Sequence, residues 1–167
     1  MQAEPYFKER QRSPFWLLLP VYLIDALLAY GCVVQLGFGK PFGTKPTTNS
    51  VMILIACLVF LLSYALSSIA LDTEIGADGI SVRFTPFIWR WKRYSWDKVS
   101  AAYVTEYSPM RDFGGWGIKW GGGGTAYSIS GNFGIQLVFR DGKRLLIGTA
   151  RAAEAEAALE RVGRLKK

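Results

Sequence analysis

A chain of 167 residues that is 50% apolar, with a mean hydropathy of +0.17, is too hydrophobic for an ordinary soluble domain and too short for several. Its net charge of +7 is dispersed, with no concentrated basic run of the kind that marks a nucleic-acid tract. The sequence has no histidine, so the commonest general base and metal ligand is missing, and any catalysis would rest on carboxylates, tyrosine, lysine or serine.

Residues 1–14 read as a charged N-terminal arm carrying Lys8, Arg10 and Arg12. From Phe15 to Leu36 the residues are almost wholly apolar, and a second apolar stretch runs from Val51 to Leu71, interrupted by Ser63, Tyr64, Ser67 and Ser68. Each is long enough to cross a bilayer core, which takes roughly 20 helical residues. Too little chain remains to wrap two such segments as buried soluble helices. A cleaved signal peptide ending near Cys32 competes, but Asp25 interrupts its apolar core and bulky Tyr30 sits two residues before the cysteine. Cys32 and Cys57 fall inside the apolar runs and read as small hydrophobes. Basic residues crowd the outer flanks of the pair, whereas the loop 37–50 holds only Lys40 and Lys45. The expectation is an inner (plasma) membrane hairpin with both termini cytoplasmic and the loop outside.

Asp25 is the most informative single residue, because an ionisable group near the centre of an inserted helix costs about 2.5–3.5 kcal/mol. Counting inward from the two cytoplasmic ends places it level with residues 60–64, so the Ser63 and Tyr64 hydroxyls are the expected donors. A helix-pairing role outweighs a proton or ion relay, which needs a longer chain of polar groups. Ala65, Ser67, Ser68 and Ala70 give the second helix a small-residue side suited to close helix approach.

Beyond Leu71 the apolar pattern turns to alternation, which signals half-buried strands. Seven are expected: 74–84, 87–95, 101–107, 117–120, 125–130, 134–140 and 144–148. Turn chemistry lies at Asp78-Gly79, Thr85-Pro86, Gly131-Asn132 and Asp141-Gly142, the last as a tight hairpin. A final helix spans 150–165, with Thr149 as N-cap and Ala153, Ala157, Leu159 and Val162 as an apolar stripe.

Three segments within this β region call for separate reading. Phe87 to Tyr94 interleaves aromatics with bases. As a regular strand it would set Arg90, Lys92 and Tyr94 on one face and Trp89, Trp91 and Arg93 on the other, a candidate surface for membrane headgroups or a partner. Residues 114–124 contain seven glycines, among them Gly114, Gly115, Gly121, Gly122, Gly123 and Gly124. No helix follows, as a phosphate-cradling loop requires, so they predict a bent or flexible β-hairpin. Glu106 and Asp112 could be written as an acid and base, but no nucleophile accompanies them, and ion pairing with Arg111 or Lys119 is the expected use.

The order of a membrane hairpin, then strands, then a terminal helix resembles the bacterial PH-like domains of small membrane proteins. The resemblance is carried by Tyr94-Ser95-Trp96-Asp97-Lys98-Val99, Gly114-Gly115-Trp116-Gly117-Ile118-Lys119, Phe139-Arg140-Asp141-Gly142-Lys143 and Leu146-Ile147-Gly148-Thr149, and covers 72–167. It implies a mainly-β PH-like barrel of about seven strands capped by a C-terminal helix, serving as a non-catalytic binding or assembly module. The expected partners are membrane lipids and a protein partner or second copy, with no nucleic acid, metal or cofactor. The alternative is an accessory subunit or small-solute conduit using Asp25 within an oligomeric helix bundle.

Overall fold

The computed structural model describes residues 4–121 and 123–163. It contains two apolar helices, two β-sheets and a C-terminal helix, and it divides into two compact units. One runs from Ser13 to Ser68; the other combines the residues up to Arg12 with those from Ile69 onward.

The helical unit begins with α1 (Phe15–Cys32), which continues as a π-helical turn (Val33–Gly37), and returns through α2 (Asn49–Ser67). At ~1.5 Å per residue the 23 residues of Phe15–Gly37 and the 19 of Asn49–Ser67 reach about 34 and 28 Å. Both are therefore long and apolar enough to cross a membrane. About one helical turn separates this result from the expectation. The second helix stops at Ser67, and Ala70 and Leu71, expected as its last residues, are strand residues buried in a β core. An apolar run shared by a helix end and a buried strand carries no internal mark of where one becomes the other.

In the other unit, the first sheet is an antiparallel meander of β1 (Phe7–Arg12), β2 (Ala70–Ile75), β3 (Gly79–Thr85) and β4 (Ile88–Ser95). Its first strand corrects the reading of residues 1–14 as an arm: Phe7 pairs with Ile75 and Arg12 with Ala70. The expected single strand 74–84 is likewise two, turned at Gly76–Gly79, where the Gly76 amide donates to the Gly79 carbonyl (2.9 Å). Ser95 opens a 3₁₀ turn (Trp96–Lys98), and Trp96, buried, donates its indole N–H to the Gly76 carbonyl (3.0 Å). The second sheet follows: β5 (Val99–Glu106), β6 (Gly117–Gly121), β7 (Gly124–Ser128), β8 (Phe133–Phe139) and β9 (Arg144–Gly148), with a short helix α3 (Pro109–Phe113) before β6. Their spatial order is β5-β8-β9-β7-β6, with β7 and β9 paired in parallel and the other pairs among the described residues antiparallel. The β8–β9 turn is the expected tight hairpin: the Asp141 carboxylate accepts from the Lys143 amide (3.1 Å) and its side chain (2.7 Å).

One apolar core lies between the sheets. Ile80, Val82 and Phe84 of β3 enter it as alternate residues, with Ser81 and Arg83 on the other face. Ile135 and Leu137 of β8 and Ile147 of β9 meet them, and α4 (Ala152–Arg161) closes it with Ala155, Ala158 and Leu159. Of the stripe expected on this helix, Leu159 is buried in the core and Val162 packs against it, whereas Ala153 and Ala157 face out. Thr149 is not the N-cap either, since the helix begins after Arg151. The last part of the expected span, 164–165, lies outside the described residues.

Candidate functional site

Three groups of side chains hold the candidate chemistry. The first is on the helix pair. Interpolating between the Tyr22–Ser67 hydrogen bond (2.8 Å) and the close approach of Gly31 to Met52 places Asp25 level with Leu62 and Ser63, inside the expected range 60–64. Asp25 lies on the half-buried side of α1, together with Leu18, Tyr22, Leu28 and Gly31. The expected donors are engaged elsewhere or turned away. Ser63 donates to the Val59 carbonyl (2.9 Å), a local backbone bond open to helical serine, and Tyr64 is exposed. Asp25 Oδ1 is left buried with no hydrogen-bond partner among the described residues. The interhelical bond falls instead to Tyr22. Because the Ser67 hydroxyl donates to the Ser63 carbonyl (2.6 Å), Tyr22 is the donor to Ser67. A Cβ on Gly31 would meet the Phe42 ring at 2.6 Å and the Met52 methyl at 2.7 Å, so glycine is what lets these segments close. Gln35, in the π-helical turn, went unnoticed in the sequence. Its amide donates to the Thr47 carbonyl (2.8 Å) and Asn49 Oδ1 (3.0 Å) and accepts from the Phe42 amide (3.3 Å), tying the connecting loop together.

The second group is the aromatic and basic strand β4. Between the pairs Val82↔Lys92 and Phe84↔Ile88, β3 advances two residues and β4 four, so β4 carries two surplus residues in a bulge. The bulge breaks the expected alternation. Lys92, opposite buried Val82, is exposed, and its ammonium reaches the Tyr127 hydroxyl (3.3 Å) and its ring face (5.7 Å). Tyr94 lies on the same side, and burial, then the neighbouring Tyr127, pushes its hydroxyl well above the usual tyrosine range. Trp91 stacks under the Arg83 guanidinium (4.8 Å), which is itself held by Asp72 (2.9 Å). Trp89, Arg90, Lys92 and Arg93 are exposed.

The glycine segment divides. Gly121 and Gly124 pair across the β6–β7 hairpin, as expected, and Gly122 lies outside the described residues; Gly123 stands beside the Phe113 ring. Gly114 and Gly115 do not belong to that hairpin: Gly114 is the left-handed C-cap of α3. Asp112 accepts from the Ser108 amide (2.8 Å) and pairs with Arg111 (3.3 Å), which lowers its pKa, the backbone bond first. Glu106 accepts from Asn132 (2.6 Å), so the two acids are separately engaged.

The third group is a buried polar cluster under the start of α4. Glu9 accepts from the Thr149 hydroxyl (2.7 Å), the Ala150 amide (2.9 Å) and Gln11 (3.3 Å), and Gln11 donates to the Gly148 carbonyl (2.6 Å). The Ala150 amide lies ahead of the helix, whose N-cap is Arg151, so Glu9 anchors the connection between β9 and α4. Nothing in a segment reading Phe7-Lys8-Glu9-Arg10-Gln11-Arg12 advertises that Glu9 and Gln11 face inward, because their partners are about 140 residues away. Among the described residues no cluster of three or more His, Cys, Asp or Glu is placed to hold a metal ion. The chain matches no protein-family model, no curated protein and no solved structure.

Proposed function

We propose that this chain is a membrane-anchored, non-catalytic interaction module. Phe15–Gly37 and Asn49–Ser67 cross the membrane as a hairpin, and a PH-like β domain on the cytoplasmic side contacts a protein partner, a second copy or the membrane surface to assemble or regulate a membrane complex. The observation that carries the reading is the pairing of β1 with β2, which brackets both apolar helices within one sheet. Two crossings return the chain to the side it left, as that sheet requires, and cleavage after the first helix would strip Phe7 and Glu9 from the core. Trp16 near the start of α1 and Tyr64 near the end of α2 are exposed aromatics of the kind that mark membrane interfaces. The basic flanks favour the cytoplasmic assignment. PH-like architecture is supported by strand order: with the β6–β7 hairpin set aside, four meandering strands pack against three, β5-β8-β9, and α4 closes the core between them. Alkaline carbonate extraction tests the anchor. The full-length chain is expected to stay with the membrane pellet, and release into the supernatant would end the proposal.

A second reading, an accessory subunit whose Asp25 meets a polar group in a larger helix bundle, draws on the partnerless Asp25 Oδ1. It expects Asp25→Leu to abolish detergent-resistant association while the β domain stays folded.

A further inference from the structure

The β3–β4 turn is where the β unit exposes its largest aromatic surface on the first sheet: Phe87 is 67% and Trp89 74% exposed. Apolar rings cost free energy in water, and a bulged turn that expels them points to a non-aqueous neighbour. Their place in the sheet identifies it. Arg12 pairs with Ala70 and Ala70 with Thr85, so the turn lies on the same end row as the two points where the chain leaves and re-enters the sheet. Only Ser13-Pro14 and Ser68-Ile69 separate that row from helical residues. At most ~3.6 Å per residue, such links span roughly 10 Å. Two strand spacings of ~4.8 Å carry the row from Arg12 to Thr85.

We infer that Phe87, Trp89 and Arg90 are set into the phospholipid headgroup layer of the membrane that anchors the helices. This rests on the membrane-spanning reading above. Tryptophan suits that layer because its ring is amphipathic, and Arg90, with Arg12 on the same row, supplies guanidinium donors for lipid phosphates. The bulge is the device that frees the turn: it leaves Trp89, Arg90 and Trp91 without ladder partners while Ile88 and Lys92 remain paired. Trp91 is packed under Arg83, and Lys92, though exposed, reaches back to Tyr127.

The test uses the full chain reconstituted into vesicles of phosphatidylcholine and phosphatidylglycerol containing brominated lipid, with a bimane label on a single cysteine. Three proteins are compared. One keeps Cys57, exposed on α2, with Cys32→Ala; the others carry Trp89→Cys or Asp141→Cys in a Cys32→Ala, Cys57→Ala background. Asp141 is the distant control. Its turn is tied to the opposite end of the first sheet through the Arg140 amide and Lys98 carbonyl (2.9 Å), about 20 Å along β3 from Thr85. Quenching at Trp89→Cys several-fold above that at Asp141→Cys is expected. Equal quenching at these two, with Cys57 strongly quenched, overturns the inference and leaves the anchor intact. No quenching at Cys57 overturns the anchor itself.

Discussion

Asp25 is the only Asp, Glu, Lys or Arg within either apolar helix, and its buried oxygen has no partner among the described residues. A group of this kind opposes insertion by about 2.5–3.5 kcal/mol. Asp25→Leu is therefore expected to raise the unfolding midpoint of the monomeric chain in detergent; a lower midpoint would mean that something in the monomer satisfies the carboxylate. Tyr94 gives a pH signature. Its pKa in the folded chain is raised above the usual 10.0 by burial and by Tyr127, so the folded state holds the phenolic proton more tightly than the unfolded one. Its contribution is complete below pH 10 and is lost as the pH climbs above that value. Tyr94→Phe should flatten the alkaline fall in stability, measured by denaturation between pH 9 and 11 as roughly the window around the free tyrosine pKa. Gly124 is the residue whose side chain matters by absence. At φ +105°, a Cβ would stand 2.3 Å from the Arg144 carbonyl oxygen on the parallel neighbour β9. Gly124→Ala should cost roughly 2–4 kcal/mol, against ~1 kcal/mol for Gly142→Ala, where φ is also positive but the space is open.

At the scale of elements, legibility followed the chemistry of the inward positions. Where these are apolar and regularly spaced, as in Ile80-Val82-Phe84 or Ile135-Leu137, alternation revealed the strand; Asp141-Gly142 revealed its hairpin. It failed at β1, whose inward residues after Phe7 are Glu9 and Gln11, and at β4, where a bulge shifts the phase. The Asp25 partner was misread for a third reason. Depth can be counted along two helices, but hydroxyl direction is decided locally, and Ser63 chooses the Val59 carbonyl. The polar cluster at β1 makes a prediction of its own. Glu9→Ala leaves the Thr149 hydroxyl and the Ala150 amide without their acceptor, and losing a buried charged acceptor costs about 2–4 kcal/mol. Because the loss falls on an edge strand, β1 should fray before the rest of the sheet. Limited trypsin digestion of the membrane-bound chain should then cut at Lys8, Arg10 or Arg12 in the variant faster than in the parent. Unchanged cleavage would mean that apolar contact at Phe7 alone holds the strand.

At the scale of the whole molecule, the sheet constrains topology independently of charge. Basic residues argue which side of a membrane a flank prefers, and Lys40 and Lys45 in the loop weaken that argument. Hydrogen bonding from Phe7↔Ile75 to Arg12↔Ala70 argues something stronger: residues 7–12 and the strands after residue 69 must occupy one compartment, because no sheet is laddered through a bilayer. With both helices crossing as proposed, the loop between them belongs to the other. Single cysteines in a Cys32→Ala, Cys57→Ala background convert this into a measurement with a membrane-impermeant maleimide on sealed, right-side-out vesicles. Lys45→Cys should label at once. Lys8→Cys and Asp141→Cys should label only after permeabilisation, and, whatever the absolute orientation, always together. An inverted pattern would refute the charge-based orientation and spare the sheet. Different labelling of Lys8→Cys and Asp141→Cys would refute the β1–β2 pairing, and disappearance of the Lys8→Cys site from the mature chain would return the first helix to the role of a cleaved signal. The charge argument alone makes no such linked demand, so the pair of N-terminal and C-terminal cysteines is the sharper test of how this chain is threaded.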